Sequence, residues 1–231
     1  MRNIILFDAS DVRENLLPMT FTRPVADLRV GILTIREKWE HMLEGAYSYI
    51  TTDYLCEKYP AIVGEDNLFI AGNVCPIESF VARVEALSQG EALLSPNGAL
   101  MAFRGSIDDF NARNFACEIV CDDDCLTIKM LYDIFMENHR GIVEDFALLT
   151  HGRISQPLSD TNTVIGASVD ADGTPMIFIE EGAVVGENPE KCDNLENWGV
   201  SVVGAGVTVG KNAKVKAQSM ISEDVKEGET V

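Results

Sequence analysis

Within its first two dozen residues the chain gathers Asp8, Arg13, Thr20, Thr22 and Arg23, and then reaches Pro24. Two guanidiniums and two hydroxyls beside an expected helix start are suited to an anion such as phosphate. Arginine grips phosphate oxygens in pairs, and a helix start offers free backbone N–H groups. The plainer alternative leaves the arginines on the surface and the leucines between them in the core. No glycine-rich phosphate loop is present to decide the matter.

The elements that must position these groups follow from hydrophobic spacing. Asn3 to Phe7 is a short apolar run that reads as a buried first strand ending at Asp8. Leu28, Ile32, Ile35, Trp39 and Met42 recur at steps of four and three, which lines one face of a helix. Ser48 to Thr51 reads as a strand, and Thr52-Asp53 caps a brief helix that ends before Tyr59-Pro60. Asn67 to Ala71 is a strand buried on both faces, with Gly72-Asn73 at its C-terminal end. The next helix carries Ile77, Phe80, Val81, Val84 and Leu87 on one side and stops near Gln89-Gly90. Strands alternating with helices predict an α/β layer around a mostly parallel sheet, and such sheets take ligands beyond their C-terminal strand ends. Those ends are Asp8 to Arg13 and Gly72 to Cys75.

Two apolar stretches then flank Pro96-Asn97-Gly98 and predict a hairpin over or beside the sheet. Cys117, Cys121 and Cys125 surround three aspartates, Asp122 to Asp124. Structural zinc prefers paired cysteines at shorter spacing with a fourth ligand, so a strand edge and an acidic turn are the better reading. Leu131 to Asn138 and Ile142 to Thr150 read as helices, with His139 and His151 at helix ends and Gly152 as a stop.

From Val164 the pattern changes. Val203, Val209, Val215 and Ile221 are spaced by six, as are Val207, Ala213, Ser219, Val225 and Val231, and Ile179 and Val185 extend the period upstream. Six-residue periodicity with small residues between is the mark of a β-helix repeat, whose stacked turns bury columns of aliphatic side chains. Residues 186–199, with Pro189, Cys192 and Trp198, break the period as an inserted loop. Two domains result, 1–160 and 161–231.

With 231 residues and 46 % hydrophobic composition, the chain can fill a core. Its net charge of −19 opposes long-range attraction to nucleic acid or an anionic membrane, so any phosphate must meet positive charge gathered locally. No apolar run approaches the ~20 residues of a spanning helix, no signal-type cleavage site follows the N-terminus, and the six cysteines read as reduced thiols. A cytoplasmic protein is expected.

The run ENLLPMTFTRPVADLRVGILTIREKWE (Glu14 to Glu40) resembles the N-terminal signature of bacterial sugar-nucleotidyltransferase-like proteins, relatives of the bifunctional N-acetylglucosamine-1-phosphate uridylyltransferase/acetyltransferase. The resemblance continues through SYITTDYL (Ser48 to Leu55), NLFIAGNVCP (Asn67 to Pro76), FALLTHGRISQPLSDTNTVIG (Phe146 to Gly166) and IFIEEGAVV (Ile177 to Val185). Asn197 to Val231 is similar to the C-terminal coil of glucose-1-phosphate adenylyltransferases. The resemblance implies a Rossmann-like nucleotidyltransferase-type α/β domain followed by a left-handed parallel β-helix, often trimeric.

It also implies a chemistry, in which a sugar 1-phosphate attacks the α-phosphate of a nucleoside triphosphate with Mg²⁺ and basic side chains neutralising charge. By matching position, Arg13 and Arg23 would hold phosphates in the catalytic role, Thr20 and Thr22 would add hydroxyls, and Lys38 would lie close enough to help. Asp8, Gly72 and Asn73 would line the substrate site, with Asp8, Asn73 or Asn162 toward the metal. The chain departs from the pattern twice: FDASDVRENLLP replaces the glycine-rich loop, and Ala71-Gly72-Asn73-Val74 stands where relatives carry a metal-binding aspartate. Related coils transfer acyl groups with a histidine base, yet His41, His139 and His151 all precede Val164. A non-catalytic nucleotide-sugar-binding or trimerising protein, or an acyltransferase, is the alternative.

Overall fold

In a computed structural model of the chain, the N-terminal apolar run forms strand β1 (Asn3–Phe7), buried from Ile4 onward. Described are residues 2–153, 202–203, 213, 215, 219–221, 223 and 225–231. The chain divides into two compact units, Met1–Leu148 and Leu149–Val231. The expected junction at 160/161, the inserted loop at 186–199 and Asn162 lie outside the described residues.

The first unit is built on a six-stranded sheet. β1 is flanked in parallel by β2 (Ala46–Ile50) and β3 (Asn67–Ala71), and Phe7 stands opposite both Ile50 and Ala71. This register brings three strand ends level, so the next residues, Asp8, Thr51 and Gly72, share one edge. β4 (Glu91–Leu94) and β5 (Leu100–Gly105) are the expected hairpin, closed by a turn in which Gly98 adopts φ +81°. The hairpin lies neither over nor beside the sheet but within it. β5 pairs antiparallel with β3, and β6 (Cys117–Val120) adds parallel to β4, giving the order β2-β1-β3-β5-β4-β6. Leu100 to Phe103 are all buried, as in an interior strand covered on both faces. The sheet is mostly parallel, as expected, with β5 alone running against the other strands.

Six helices among the described residues accompany it: α1 (Ser10–Asn15), α2 (Ile35–Met42), α3 (Glu78–Ala86), α4 (Ile107–Ala112), α5 (Leu131–Met136) and α6 (Asn138–Thr150). α1 forms inside the stretch read as a loop. The helix predicted from Leu28 begins only at Ile35, because Thr34 and Glu37 form a capping box: the Thr34 hydroxyl accepts from the Glu37 N–H, and Glu37 accepts from the Thr34 N–H. Upstream, Val25–Asp27 is a single 3-10 turn, and Gly31 turns at φ +84°. A Cβ on Gly31 would meet the Gly141 carbonyl carbon at 2.4 Å, so this loop and α6 approach more closely than side chains permit. His139 stands at the start of α6, the positive end of the helix dipole, and only His151 follows a helix end.

The core of the unit is aromatic at its centre. Phe69 stacks on Phe110 at 4.2 Å, Phe7 meets Phe110 edge-on at 5.1 Å, and Trp39, fully buried, donates its indole N–H to the Val74 carbonyl. Around the acidic turn Cys117 is exposed and Cys121 buried with its thiol on Asp123, and among the described residues no His, Cys, Asp and Glu side chains converge as a metal site. No helix among the described residues is long and apolar enough to cross a membrane.

In the second unit β7 (Val202–Val203) runs parallel to β8 (Met220–Ile221), with Val203 opposite Ile221. The chain returns to its own edge after three six-residue steps. Ala213, Val215, Ile221 and Val225 form a buried cluster with Val231 packed on it, and all belong to the two six-residue series.

Candidate functional site

The level strand ends create a corner with Asp8 at its centre. Asp8 accepts from the Val25 N–H at 2.9 Å and from the Thr51 hydroxyl at 2.6 Å, and the Arg13 Nε lies 3.7 Å away. Its carboxyl is 3 % exposed. Burial pushes its pKa above the ordinary aspartate value, while the Thr51 and Val25 hydrogen bonds and the Arg13 charge pull against that rise. Arg13, on α1, donates to the Thr20 carbonyl at 2.6 Å and the Tyr54 hydroxyl at 2.7 Å. Thr20, fully buried, returns a bond from its hydroxyl to the Arg13 carbonyl at 2.9 Å. One carboxylate and one guanidinium thus tie β1, β2, α1 and the loop before Pro24 into a single frame.

A cleft of about 270 Å³ is lined by Thr22, Arg23, Asp27, Thr34, Arg36, Lys58 and Tyr59. Three cations face one carboxylate in it. Asp27 accepts from Arg36 at 3.2 Å and from the Tyr49 hydroxyl at 2.7 Å. Lys58 sits 5.0 Å above the Tyr59 ring, and Tyr59 packs edge-on against Tyr49 at 5.4 Å. Arg23 is exposed and makes no hydrogen bond or ion pair among the described residues. Arg13 does not line this cleft, so the two arginines that the sequence groups together occupy different surroundings.

The corner and the cleft fall within residues 4–154, over which the chain matches a family model described as sugar nucleotidyl transferase. The chain belongs to the sugar nucleotidyl transferase family. No curated protein matches it. The six-stranded sheet with its helices is the α/β nucleotidyltransferase domain of that family.

Set in a sugar nucleotidyl transferase, the expected site residues separate. Asp8, Arg13, Thr20 and Gly72 meet at the strand ends; Thr22 and Arg23 stand in the cleft. Lys38 joins neither. Its ammonium, on a residue 4 % exposed, pairs with Asp145, which also accepts the Ile32 and Leu33 N–H groups at 2.8 and 2.9 Å. Lys38 therefore fastens α2 and the preceding loop to α6. The Thr20 hydroxyl, expected to face phosphate, faces a carbonyl. Gly72 donates to the Phe7 carbonyl at 2.9 Å, and a Cβ there would come within 3.3 Å of the Ala26 nitrogen, so glycine lets the 3-10 turn close over the strand ends. Asn73 is buried and donates its amide to the Ile128 carbonyl at 3.0 Å.

Magnesium calls for carboxylate and phosphate oxygens in a near-octahedral shell. Each Asp8 oxygen accepts one hydrogen bond, Arg13 stands beside it, and Asn73 offers one neutral oxygen, so among the described residues the corner brings a single carboxylate toward a magnesium ion. Thr51, Tyr54, Arg36, Lys58, Tyr59 and Asp145 were not singled out from sequence. For Thr51 and Tyr54 a signal existed, since both lie in the SYITTDYL run; Asp145 carried none.

Proposed function

We propose that the protein makes a nucleotide sugar from a nucleoside triphosphate and a hexose 1-phosphate. A phosphate oxygen of the sugar 1-phosphate bonds to the α-phosphorus, the bond from that phosphorus to the β-phosphate bridging oxygen breaks, and the electron pair leaves with pyrophosphate. Catalysis of this kind is mostly positioning and charge neutralisation. The observation supporting the reading most directly is the levelled ends of β1, β2 and β3, which hold Asp8 and Arg13 where α/β sheets receive ligands. Arg13 and Thr20 set the shape of the corner, and Arg23 and Thr22 meet phosphate oxygens. The resemblance of the Glu14 to Glu40 run to relatives of the bifunctional uridylyltransferase/acetyltransferase supports the same reading.

Beyond the first unit the proposal is a left-handed β-helix that joins copies into a trimer. The parallel pairing of Val203 with Ile221 after three six-residue steps supports it. With no histidine after Val164, the coil serves assembly rather than acyl transfer. The net charge of −19 supports a cytoplasmic protein that keeps apart from nucleic acid and anionic membranes.

The test is pyrophosphate release from a panel of nucleoside triphosphates and hexose 1-phosphates with Mg²⁺. Release with at least one pair is expected, and neither release nor binding with any pair overturns the proposal. The internal hydrogen bonds of Asp8 and Asn73 favour one other reading, ligand binding without turnover. It is distinguished in the same panel by binding without release.

A further inference from the structure

We infer that the cleft bounded by Arg23, Arg36 and Lys58 binds the phosphate of a small phosphorylated compound, and that Lys58 supplies the deciding charge. This deepens the transferase reading and rests on it only for where that compound comes from. The first argument is charge. In a chain with 37 acidic against 18 basic residues, three cations meet around one carboxylate. That carboxylate, Asp27, is already held by Arg36 and the Tyr49 hydroxyl. Arg36 is further occupied by Glu40 at 2.6 Å. Arg23 and Lys58 are left without a carboxylate among the described residues, and an unpaired cation pair in a concave wall attracts a multivalent anion.

The second argument is preorganisation. Lys58 and Tyr59 both donate their backbone N–H groups to the Leu55 carbonyl, at 3.0 and 2.8 Å, which folds the chain back over the end of β2. The Tyr59 ring is braced on Tyr49, Tyr49 is bonded to Asp27, and Lys58 lies over the Tyr59 ring. The aromatic pair therefore fixes where the ammonium starts. Thr22 adds a hydroxyl on the same wall. The third argument is size. About 270 Å³ lies just under the ~300 Å³ at which small-molecule pockets begin, which suits pyrophosphate or a sugar phosphate and not a whole nucleoside triphosphate.

The experiment is calorimetric titration of the full chain with pyrophosphate, a hexose 1-phosphate and inorganic phosphate. It is repeated on Lys58→Ala and Arg23→Ala, with unfolding midpoints recorded alongside. Pyrophosphate or the sugar phosphate is expected to bind, with affinity falling about tenfold in Lys58→Ala at an unchanged midpoint and weakening as salt rises. Preference for pyrophosphate assigns the cleft to the product, and preference for the sugar phosphate assigns it to the acceptor. No binding by any of the three, or an affinity in Lys58→Ala equal to the parent's, overturns the inference. Binding through Lys58 with no turnover in the nucleotide panel would remove the transferase reading and leave this site standing. Turnover with Lys58→Ala matching the parent in affinity and in kcat/KM would do the reverse.

Discussion

Arg13 and Arg23 lie on one stretch of chain and have opposite fates. Arg13 has a side chain 12 % exposed and is bound by Asp8, the Thr20 carbonyl and the Tyr54 hydroxyl. Arg23 is exposed in a cleft and holds no partner among the described residues. Lys38 and Lys58 repeat the contrast, one paired with a buried aspartate and the other lying open over a ring. What separates frame from site is whether folding brings a carboxylate to the cation. A paired cation is part of the architecture, and removing it costs stability; an open one is available to a ligand, and removing it costs affinity.

The strongest way to break this comparison is through Asp145. It is 1 % exposed and holds the Lys38 ammonium together with two backbone N–H groups. Asp145→Ala leaves a buried charge and two donors unpaired, and is expected to cost about 3–5 kcal/mol in urea unfolding. A loss under about 1 kcal/mol would mean that Lys38 is free to serve the site after all. Replacing both members by apolar residues, Lys38→Met with Asp145→Leu, is expected to recover much of the loss, since the double change removes the stranded charge.

The second contrast is direct. Arg13→Ala removes two charge-assisted hydrogen bonds and leaves the Asp8 carboxyl without its cation, with an expected cost of about 2 kcal/mol. Arg23→Ala touches no partner and is expected to stay within about 0.5 kcal/mol of the parent while weakening phosphate binding. Denaturant melts of both variants beside a pyrophosphate titration decide it. Equal stability losses would erase the distinction between corner and cleft.

Much of the first unit was legible because its signals are local. The apolar runs at Asn3 to Phe7 and Asn67 to Ala71 admit little besides buried strands, and Asn97-Gly98 marks its turn without help from the rest of the chain. What the sequence concealed depends on partners far along it. Leu28 and Ile32 keep helical spacing, but the Thr34–Glu37 box starts the helix later, and local capping outweighs periodicity over so short a stretch. That box was readable as Thr-x-x-Glu. Lys38 offered no such clue, because Asp145 lies more than a hundred residues away. The hairpin's place inside the sheet was hidden for the same reason, since an apolar stretch does not say which strand it will join. Arg13 and Arg23 looked alike because only the folded corner distinguishes them.

Thr34 offers the finest test, since it lines the cleft while belonging to the frame. Its hydroxyl is bonded to Glu37, so Thr34→Ala is expected to cost about 1 kcal/mol as a lost cap and to leave phosphate affinity near the parent's. Acid titration adds a sign to this. The Thr34 backbone hydrogen bond holds the Glu37 carboxyl below its ordinary value, so its contribution is present above that value and is lost as the pH falls through the lower, folded pKa. Asp8 runs the other way. Burial raises its folded pKa, so what it contributes is present below the ordinary aspartate value and is lost as the pH rises through the folded one. Relative to the parent, Glu37→Gln is therefore expected to lose its disadvantage on acidification, whereas Asp8→Asn gains on the parent as the pH rises from the acid side. Parallel slopes for the two variants in pH-dependent melts would show that cap and corner do not differ in how they hold their charge.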